Sequence, residues 1–422
     1  MFFSRFRLFL TLTMNFSKLK QLLTEDEPGG VAFKHLTRKR EIITFLDSQE
    51  ESTIPEIAQH LNISIPTATT LITELVDDYI VEDCGKIDSI AGRPANHYGL
   101  LSDACYFLGV DVRDNFVNIG LLDFRKNLTV TELEIPFLLE NKSESLDRLI
   151  AILTDFIRKP QVAQKNILSI CINLTGRINS NSGYSYSFFH FSEEPLANII
   201  ESRIGIKVFL ENDSRAMAYG EFHKGVVKNE KNVLFVNLDY GLGLGILIDG
   251  KLYYGKSGFS GEFGHIPLFD NEIICHCGKR GCLETEASGR ALMRMFTKHI
   301  QEGSVSNILQ DTAATEELTF HNIIEGARQE DVLAIELVSK IGYNLGRGIA
   351  VLINLYNPEL VVLGGALTAT GDYLYLTTKI ALNKYSLGLV NSDSKLSMSR
   401  LKEKAGIVGS ALIARNRVLS FQ

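Results

Sequence analysis

A run of three short apolar strands occurs twice in the chain, and this repeat constrains the fold more than any other sequence feature. The first run is FLGVDV, VNIGLLDF and LTVTELEI, and the second is VLFVNLDY, LGILIDG and KLYYG. Helices with apolar periodicity alternate with strands after the first run, and long helical segments over 320–355 precede strand ELVVLGG after the second. Two α/β segments that begin alike predict two lobes around a cleft.

The segment 36–100 has a different pattern, in which polar caps separate short helices. Helix Leu36–Ser48 is followed by a second helix capped by Ser52 or Thr53 and a third, from Ile65 to about Asp78, capped by Ser64. Val81–Leu100 then predicts a two-stranded hairpin. Three helices and a hairpin indicate a winged helix-turn-helix, with Ile65, Leu71, Ile72 and Leu75 of its third helix packed inward.

The third helix is the expected DNA-reading element, because short polar side chains on such a helix reach base edges in the major groove. Basic side chains near the first helix and in the wing would contact phosphates and the minor groove. Residues 1–100 hold 10 Lys plus Arg and 14 Asp plus Glu, so a winged helix that makes only protein contacts is the alternative. The predicted DNA contacts are Arg38, Lys39, Arg40, Thr67, Thr69, Thr70, Thr73 and Arg93.

Three cysteines are grouped beside histidine in the pattern H-x9-C-x-C-x4-C, formed by His265, Cys275, Cys277 and Cys282. Four nitrogen and sulfur ligands suit tetrahedral Zn²⁺, whose charge offsets that of neighbouring thiolates. A closed site of this kind is structural, because it leaves no position open for a substrate. His276 competes for the histidine position, and a reduced loop without metal is the alternative.

Polar clusters stand at the ends of predicted elements, where sites on α/β scaffolds usually lie. These are Glu211-Asn212-Asp213, Glu262 in GEFGH, and Glu284 after the cysteine loop. Such side chains can bind several sugar hydroxyls, and the two nitrogens of His265 could contact a hydroxyl and the metal. The alternatives are that Asp213 only caps a helix and that Glu262 and Glu284 are solvated loop charges.

Two glycine-containing segments could approach phosphates closely. The first holds Gly241, Gly243 and Gly245, and the second holds Gly364 and Gly365 after strand LVVL. Glycines at alternate positions also occur in a strand that is packed tightly against a neighbouring element.

These motifs resemble those of the ROK family, whose members include sugar kinases and sugar-responsive repressors. GEFGH at 261–265 and CHCGKRGCLE at 275–284 carry the resemblance, with support from 211–221, 361–366 and 406–412. The resemblance implies an α/β fold in which a winged helix-turn-helix precedes a two-lobed actin-like, hexokinase-like (ribonuclease H-like) ATPase-type domain. The expected domains are an extension 1–35, a DNA-binding domain 36–100 and a sugar-binding domain 105–422. Lobe one would comprise about 105–227 and 400–422, and lobe two about 228–399.

The same resemblance implies a set of site residues. It assigns structural zinc to His265, Cys275, Cys277 and Cys282, and gives Asp213 the role of general base in the case of a kinase. The implied sugar contacts are Asn212, Asp213, Glu262, His265, Glu284, Gly176 and Arg177.

The sequence departs from the family's kinases at the phosphate loops. Those kinases carry Asp-x-Gly-Gly-Thr, whereas this chain has Asp111-Val112-Arg113-Asp114-Asn115, which lacks both glycines and adds a carboxylate. Leu242 also replaces a hydroxyl residue in the second loop. The sequence therefore disfavours ATP and Mg²⁺, leaves the glycines of 241–245 and 364–365 as vestigial, and favours a sugar-released repressor over an ATP-dependent hexose or amino-sugar kinase.

Charge and hydropathy define the remaining expectations. The net charge is −7, and no run of about 18 apolar residues exists, so neither a large nucleic-acid scaffold nor a transmembrane helix is predicted. The opening segment MFFSRFRLFLTLT resembles a weak signal peptide but lacks a cleavage pattern. We therefore favour an over-long start, with Met14 as the alternative first residue, over a targeting segment. A cytoplasmic homodimer or homotetramer that binds operator DNA and a sugar or sugar phosphate, without a membrane, is expected.

Overall fold

The computed structural model describes residues 31–86, 95–309 and 318–419, together with residues 19 and 22. The alternative start Met14 and the wing residue Arg93 lie outside the described residues. Two compact units divide the chain: unit 1 comprises Met1–Ile172, Phe188–Phe209 and Ser410–Gln422, and unit 2 comprises Asn173–Ser187 and Leu210–Gly409. The functional domains 36–100 and 105–422 stay predictions.

Unit 1 begins with the predicted helices, followed by the strands of the wing. The helix predicted from Leu36 starts at Val31. A short strand that the sequence did not indicate, β1, pairs antiparallel with β3 through Ser52 and Tyr98. The sheet order is β1-β3-β2. The elements are α1 (Val31–Gln49), β1 (Glu51–Thr53), α2 (Ile54–His60), α3 (Ile65–Asp77), β2 (Val81–Lys86) and β3 (Asn96–Leu100).

The caps of α2 and α3 explain where these helices start. Thr53 and Glu56 form a capping box: the Glu56 backbone N–H donates to Thr53 Oγ1 (3.4 Å), and the Thr53 N–H donates to Glu56 Oε2 (2.8 Å). Ser64 Oγ accepts from the Thr67 N–H at 3.3 Å. These contacts satisfy backbone donors that the first helical turn leaves without partners.

Replacement of Thr53 by alanine is expected to lower the free energy of unfolding by about 1 kcal/mol, because α2 loses its side-chain cap. Urea unfolding followed by circular dichroism measures the change. Thr44→Ala is the matched control, since the Thr44 hydroxyl only donates to Arg40 O within α1. An equal effect of the two substitutions would contradict the importance of the cap.

The main sheet of unit 1 contains the three strands of the first run, β4 to β6, and has the order β10-β7-β4-β5-β6. Every residue of β4 and β7 is buried, as expected for central strands covered on both faces. The elements are β4 (Tyr106–Val112), β5 (Phe116–Asp123), β6 (Leu128–Pro136), α4 (Ser143–Ile157), β7 (Ile167–Leu174), β8 (Ile178–Asn179), β9 (Tyr184–Ser185), α5 (Leu196–Ile204), β10 (Lys207–Asn212) and α6 (Asp213–Lys224). Strands β8 and β9 form a separate hairpin in unit 2, and unit 2 also contains the last residues of β7 and β10 and all of α6.

The sheet of unit 2 repeats this arrangement in the order β13-β12-β11-β14-β15. In both sheets the third, second and first strands are neighbours in that order, and the fourth and fifth follow the first. The elements are β11 (Val233–Leu238), β12 (Leu242–Ile248), β13 (Lys251–Leu252), α7 (Gly289–Gln301), α8 (Phe320–Arg328), α9 (Val332–Tyr356), β14 (Leu360–Gly364), α10 (Asp372–Tyr385), α11 (Gly388–Asp393), β15 (Lys395–Met398) and α12 (Ala405–Leu419). From Ser410 onward, α12 belongs to unit 1. The predicted repeat of strand runs therefore appears as two sheets of one topology.

The core of unit 2 lies between its sheet and the helices α7 to α9, where Leu234, Phe296 and Ile341 are buried together. Among the described residues, no helix is long and apolar enough to cross a membrane.

Candidate functional site

The junction of β10 and α6 places Asn212 and Asp213 side by side in unit 2. Asn212 caps the helix, since its Oδ1 accepts from the Arg215 N–H at 3.1 Å, and Asp213 is the first helical residue. The reading of Asp213 as the cap is therefore wrong. Its Oδ1 accepts from the Ser214 N–H (2.7 Å) and Asn212 Nδ2 (2.9 Å), which holds a nearly buried carboxylate in place.

A buried ion pair that the sequence reasoning missed lies directly beneath this junction. Arg215 Nε contacts Glu211 Oε1 at 2.7 Å, and the exposed fractions of the two side chains are 4 % and 0 %. Glu211 lies in β10 and Arg215 in the first turn of α6, so the i,i+4 rule for pairs on one helix did not predict this contact. The pair fixes the strand–helix corner that presents Asn212 and Asp213.

The loop of Gly176 and Arg177 joins the two polar clusters that the sequence predicted separately. Asn212 Nδ2 donates to Gly176 O at 3.0 Å, and Arg177 Nη2 lies 3.6 Å from Glu262 Oε2. Gly176 has a φ of +88°, and a Cβ there would lie 2.3 Å from Ser187 Oγ. Only glycine fits this corner without displacing the loop.

Glu262, His265 and Glu284 continue the network. His265 Nε2 lies 3.8 Å from Glu262 Oε2, and one ligand atom each of His265, His276 and Glu284 lies within 4.8 Å of the others. The seven predicted sugar contacts thus belong to one chain of neighbours in unit 2. They supply a carboxylate at each end, with an amide, a guanidinium, a third carboxylate and an imidazole between them.

Glu284 is buried yet remains an acceptor. His276 Nδ1 lies 2.8 Å from its Oε1, and the Leu242 N–H donates to its Oε2 at 3.3 Å. Burial alone would raise the pKa of Glu284, but the hydrogen bond and charge of His276 hold that pKa below its ordinary value. His276 is a further contact that the sequence reasoning treated only as a competing metal ligand.

The cysteine loop forms a compact candidate metal centre. One donor atom from each of His265, Cys275, Cys277 and Cys282 lies within 4.8 Å of the others. Cys277 Sγ and Cys282 Sγ are 3.7 Å apart, and Cys275 Sγ is 3.6 Å from His265 Nδ1. A tetrahedron with Zn–S bonds of about 2.3 Å requires about 3.8 Å between sulfur atoms, so the donor set fits.

The protonation states of this cluster are linked to metal binding. Burial, a hydrogen bond with Cys277 and the charge of Cys275 raise the pKa of Cys282 to about 12, so this thiol keeps its proton until a cation displaces it. Burial lowers the pKa of His265, which keeps its imidazole in the neutral form that binds metals. His265 Nδ1 faces the thiols while Nε2 faces Glu262, as expected for a residue that links metal and ligand sites.

The glycines of the second strand run are explained by packing against α6. A Cβ on Gly243 would lie 2.0 Å from Ser214 Oγ, and one on Gly245 would lie 2.4 Å from Ala218 Cβ. Gly365 has a φ of +88°, and Phe235 occupies the space beside Gly364. Close packing accounts for these glycines without a phosphate, whereas Gly241 has only an ordinary contact with Glu284.

Asp111 is buried in β4, and its Oδ2 accepts from Arg113 Nε at 2.9 Å and from Asn118 Nδ2 at 3.4 Å. In this chain a basic side chain stands where the family's kinases have the first glycine of their phosphate loop. The guanidinium of Arg113 therefore offsets the negative charge of the Asp111 carboxylate.

The winged helix presents the threonines of α3 to solvent. Thr67, Thr69, Thr70 and Thr73 are all exposed, and the last three donate to carbonyls of α3 itself. Ile65 is 55 % exposed, so the prediction that it packs inward is wrong; as the first helical residue after Ser64, it precedes the buried face formed by Ala68, Leu71, Ile72 and Leu75.

The basic residues of α1 differ in accessibility. Lys39 is 9 % exposed and pairs with Glu74 (3.0 Å) and Asp78 (3.3 Å), so we leave it out of the proposed DNA contacts. Arg38 pairs with Glu41 at 2.7 Å but keeps an exposed side chain, and Arg40 donates to Leu22 O at 2.7 Å. Packing of α1 against α3 therefore pairs one of the three basic residues, Lys39, with carboxylates and leaves Arg38 and Arg40 as the proposed phosphate contacts of α1.

A family model described as "ROK family" matches residues 109–417. The chain belongs to the ROK family. The predicted α/β fold of the actin-like, hexokinase-like class with a preceding winged helix is confirmed by this match, by the helices and strands over 31–100, and by the solved ROK structures compared below.

Relatives in this family differ in how much of the chain they match. The xylose repressor of Caldicellulosiruptor bescii is 27 % identical over 92 % of this chain and 97 % of its own length. The crystal structure of a ROK family transcriptional regulator, a homologue of E. coli Mlc, has a TM-score of 0.76 at 27 % identity and covers 91 % of this chain and 97 % of its own. A ROK family glucokinase from Streptomyces griseus, solved with glucose and AMPPNP, has a TM-score of 0.64 at 25 % identity and covers 74 % of this chain and 99 % of its own.

Proposed function

We propose that this ROK protein is a sugar-responsive DNA-binding transcriptional regulator that represses carbohydrate-utilisation genes until a sugar or sugar phosphate releases it. The observation that carries the proposal is the coverage of the relatives. The repressor and the regulator match over 91–92 % of the chain, whereas the glucokinase matches over 74 % while covering 99 % of its own length. The difference of 17 % of the 422 residues is about 72 residues, close to the length of the predicted winged helix 36–100.

The effector site is assigned to the network in unit 2. Asp213 and Glu284 accept hydrogen bonds from sugar hydroxyls, while Arg177 donates, and Asn212, Glu262 and His265 complete the contacts. Two buried carboxylates, Asp213 and Glu284, in one polar network with an imidazole and a guanidinium are typical of a ligand site. Backbone contacts at Asn212, Asp213 and Glu284 hold these side chains before a ligand arrives.

The metal is proposed to be structural Zn²⁺ held by His265 Nδ1 and the three thiolates. When bound, it supplies a rigid anchor for the loop between GEFGH and Glu284. His265 then orients its other nitrogen toward Glu262, so the metal centre fixes one side of the sugar site without taking part in chemistry.

The DNA contacts are proposed to come from the exposed face of α3, with Thr67, Thr69, Thr70 and Thr73 toward base edges. Arg38 and Arg40 at α1, and Arg93 in the wing, would contact phosphate or minor groove. Because the segment is acidic overall, nonspecific attraction is weak and a homodimer or homotetramer on a two-fold operator supplies affinity. Sugar acts through its differential affinity for the DNA-bound and free states.

An ATP-dependent sugar kinase is the second candidate, and the position of Asp213 at the β10–α6 junction favours it. The Arg113–Asp111 contact and Leu242 oppose nucleotide binding. Steady turnover of ATP with a hexose, lost in Asp213→Ala, would establish the kinase.

The function is tested by incubating the purified chain with fragmented DNA of its own genome and sequencing the retained fragments, with and without a panel of sugars and sugar phosphates. The proposal predicts a discrete site that one sugar releases. Absence of any retained site would instead favour the kinase or a winged helix that only contacts protein.

A further inference from the structure

Two aromatic side chains stand in solvent beside the candidate sugar site. Tyr186 is 52 % exposed and Phe259 is 39 % exposed, and their rings meet edge to face with centroids 5.5 Å apart. Tyr184 stacks against the other side of Tyr186 at 6.2 Å. Single exposed aromatic residues are ordinary, but a contiguous group of them next to a polar site is typical of a ligand-binding surface.

Backbone pairing places Tyr186 on the face of the β8–β9 hairpin that carries Arg177. The Tyr186 N–H donates to Arg177 O at 2.9 Å, which continues the antiparallel register Ile178–Ser185 by one pair. Directly paired residues project their side chains to the same face. Arg177 reaches Glu262 at 3.6 Å, and Phe259 lies three residues before Glu262, so the aromatic pair borders the sugar contacts.

The two segments that carry these rings are held together by the buried guanidinium of Arg215. Its Nη1 donates to Gly258 O at 2.8 Å and its Nη2 donates to Ile178 O at 3.2 Å. Glu211, the partner of Arg215, also accepts from Ser180 Oγ (2.8 Å) and Tyr254 Oη (3.0 Å). The aromatic surface is therefore ordered before binding, which reduces the entropic cost of occupying it.

The chemistry of this surface matches a sugar ring. A pyranose presents polarised C–H groups on its face, which suit the negative face of an aromatic ring, and hydroxyls at its edge, which suit Arg177 and Glu262. The seven residues assigned to the first sugar ring include neither Tyr186 nor Phe259. We propose that Tyr186 and Phe259 form a stacking subsite for a second sugar ring, so that the effector is a disaccharide or longer saccharide; this rests on the proposed function.

Calorimetric titration of the full chain tests the subsite with three probe pairs: xylose and xylobiose, glucose and cellobiose, and N-acetylglucosamine and chitobiose. For the pair that binds, the disaccharide is expected to bind about tenfold more tightly than the monosaccharide. Tyr186→Ala is expected to remove this advantage while the affinity for the monosaccharide stays within about twofold. Tyr186→Phe, which keeps the ring, retains the advantage.

Tyr356→Ala is the matched control, because Tyr356 is 42 % exposed at the end of α9 and is assigned no role. A disaccharide that binds no more tightly than its monosaccharide would overturn the subsite. An equal loss of affinity for the disaccharide and the monosaccharide in Tyr186→Ala would also overturn it. In either case, the proposed function stands if the wild-type chain binds the monosaccharide and Glu284→Gln does not. If no sugar binds to the wild-type chain, the proposed function fails, and the subsite fails with it.

Discussion

Replacement of Asp47 by asparagine is expected to lower the free energy of unfolding by about 3–5 kcal/mol, because it leaves a buried charge without its carboxylate. Asp47 lies near the end of α1 and contacts Arg415 of α12 through Oδ1–Nη2 at 2.6 Å and Oδ2–Nη1 at 3.3 Å. The Arg415 side chain has no exposed surface, and a guanidinium does not deprotonate to escape the cost. The pair holds the winged helix to the rest of unit 1.

Urea unfolding followed by far-ultraviolet circular dichroism measures this loss, since the chain has no tryptophan. Asp147→Asn is the matched control: Asp147 pairs with Arg203 at 2.6 Å, but both side chains are exposed, and a loss below about 1 kcal/mol is expected. The double variant Asp47→Leu, Arg415→Met is expected to regain part of the stability. Equal losses in Asp47→Asn and Asp147→Asn would show that the buried pair does not stabilise unit 1.

Replacement of Cys282 by serine is expected to abolish stoichiometric zinc and to lower the free energy of unfolding by about 4 kcal/mol when free zinc exceeds the Kd about a thousandfold. The physical reason is that a metal bound only by the folded chain stabilises it by mass action. Cys282 is buried, and its sulfur lies 3.7 Å from that of Cys277, so the oxygen of serine gives a shorter and harder ligand in the same place. Elemental analysis and thermal unfolding with and without chelator measure both effects.

His265→Ala and His276→Ala separate the two candidate histidine ligands. His265 belongs to the group with all three cysteines, while His276 is half exposed and contacts Glu284. Loss of zinc in His265→Ala and retention in His276→Ala are the expected results. Zinc bound equally well by all these variants would place the metal elsewhere, and an unchanged melting temperature after chelation would remove its structural role.

Local chemistry made the winged helix and the metal loop predictable from sequence. Thr53, Glu56 and Ser64 cap helices through contacts at most three residues away, so their spacing was sufficient to place α2 and α3. The four candidate metal ligands fall within 18 residues, and three thiols with one imidazole are sufficient to predict metal binding. The membership of the ROK family, predicted from GEFGH and CHCGKRGCLE, is confirmed by the family model.

Long-range contacts set the limits of the prediction. The sequence alone gives no partner for the Lys39 ammonium group. Packing of α1 on α3 nevertheless brings the carboxylates of Glu74 and Asp78 into contact with it. Strand β1 is only three residues long and depends on β3, more than forty residues later. The contact of Asp47 with Arg415 spans 368 positions and has no sequence signature.

The candidate sugar site was predicted as a list of residues but not as a network. Which side chain caps α6 depended on the backbone of Asn212, whose extended conformation makes it the cap in place of Asp213. The support from Arg215 and the contact of His276 with Glu284 came only from the structure. The sugar contacts themselves stay a proposal that binding measurements decide.

The most direct test of the account follows a selected operator fragment by fluorescence anisotropy while the releasing sugar is added to the wild-type chain and to Glu284→Gln. Both forms are predicted to bind the fragment equally without sugar, because Glu284 lies in unit 2 and the winged helix in unit 1. Glu284→Gln is predicted to need at least about tenfold more sugar for release, since a charged acceptor of hydroxyl hydrogen bonds is lost. Release of both forms at the same sugar concentration would contradict the assigned site, and wild-type DNA binding that no sugar alters would contradict a sugar-responsive regulator.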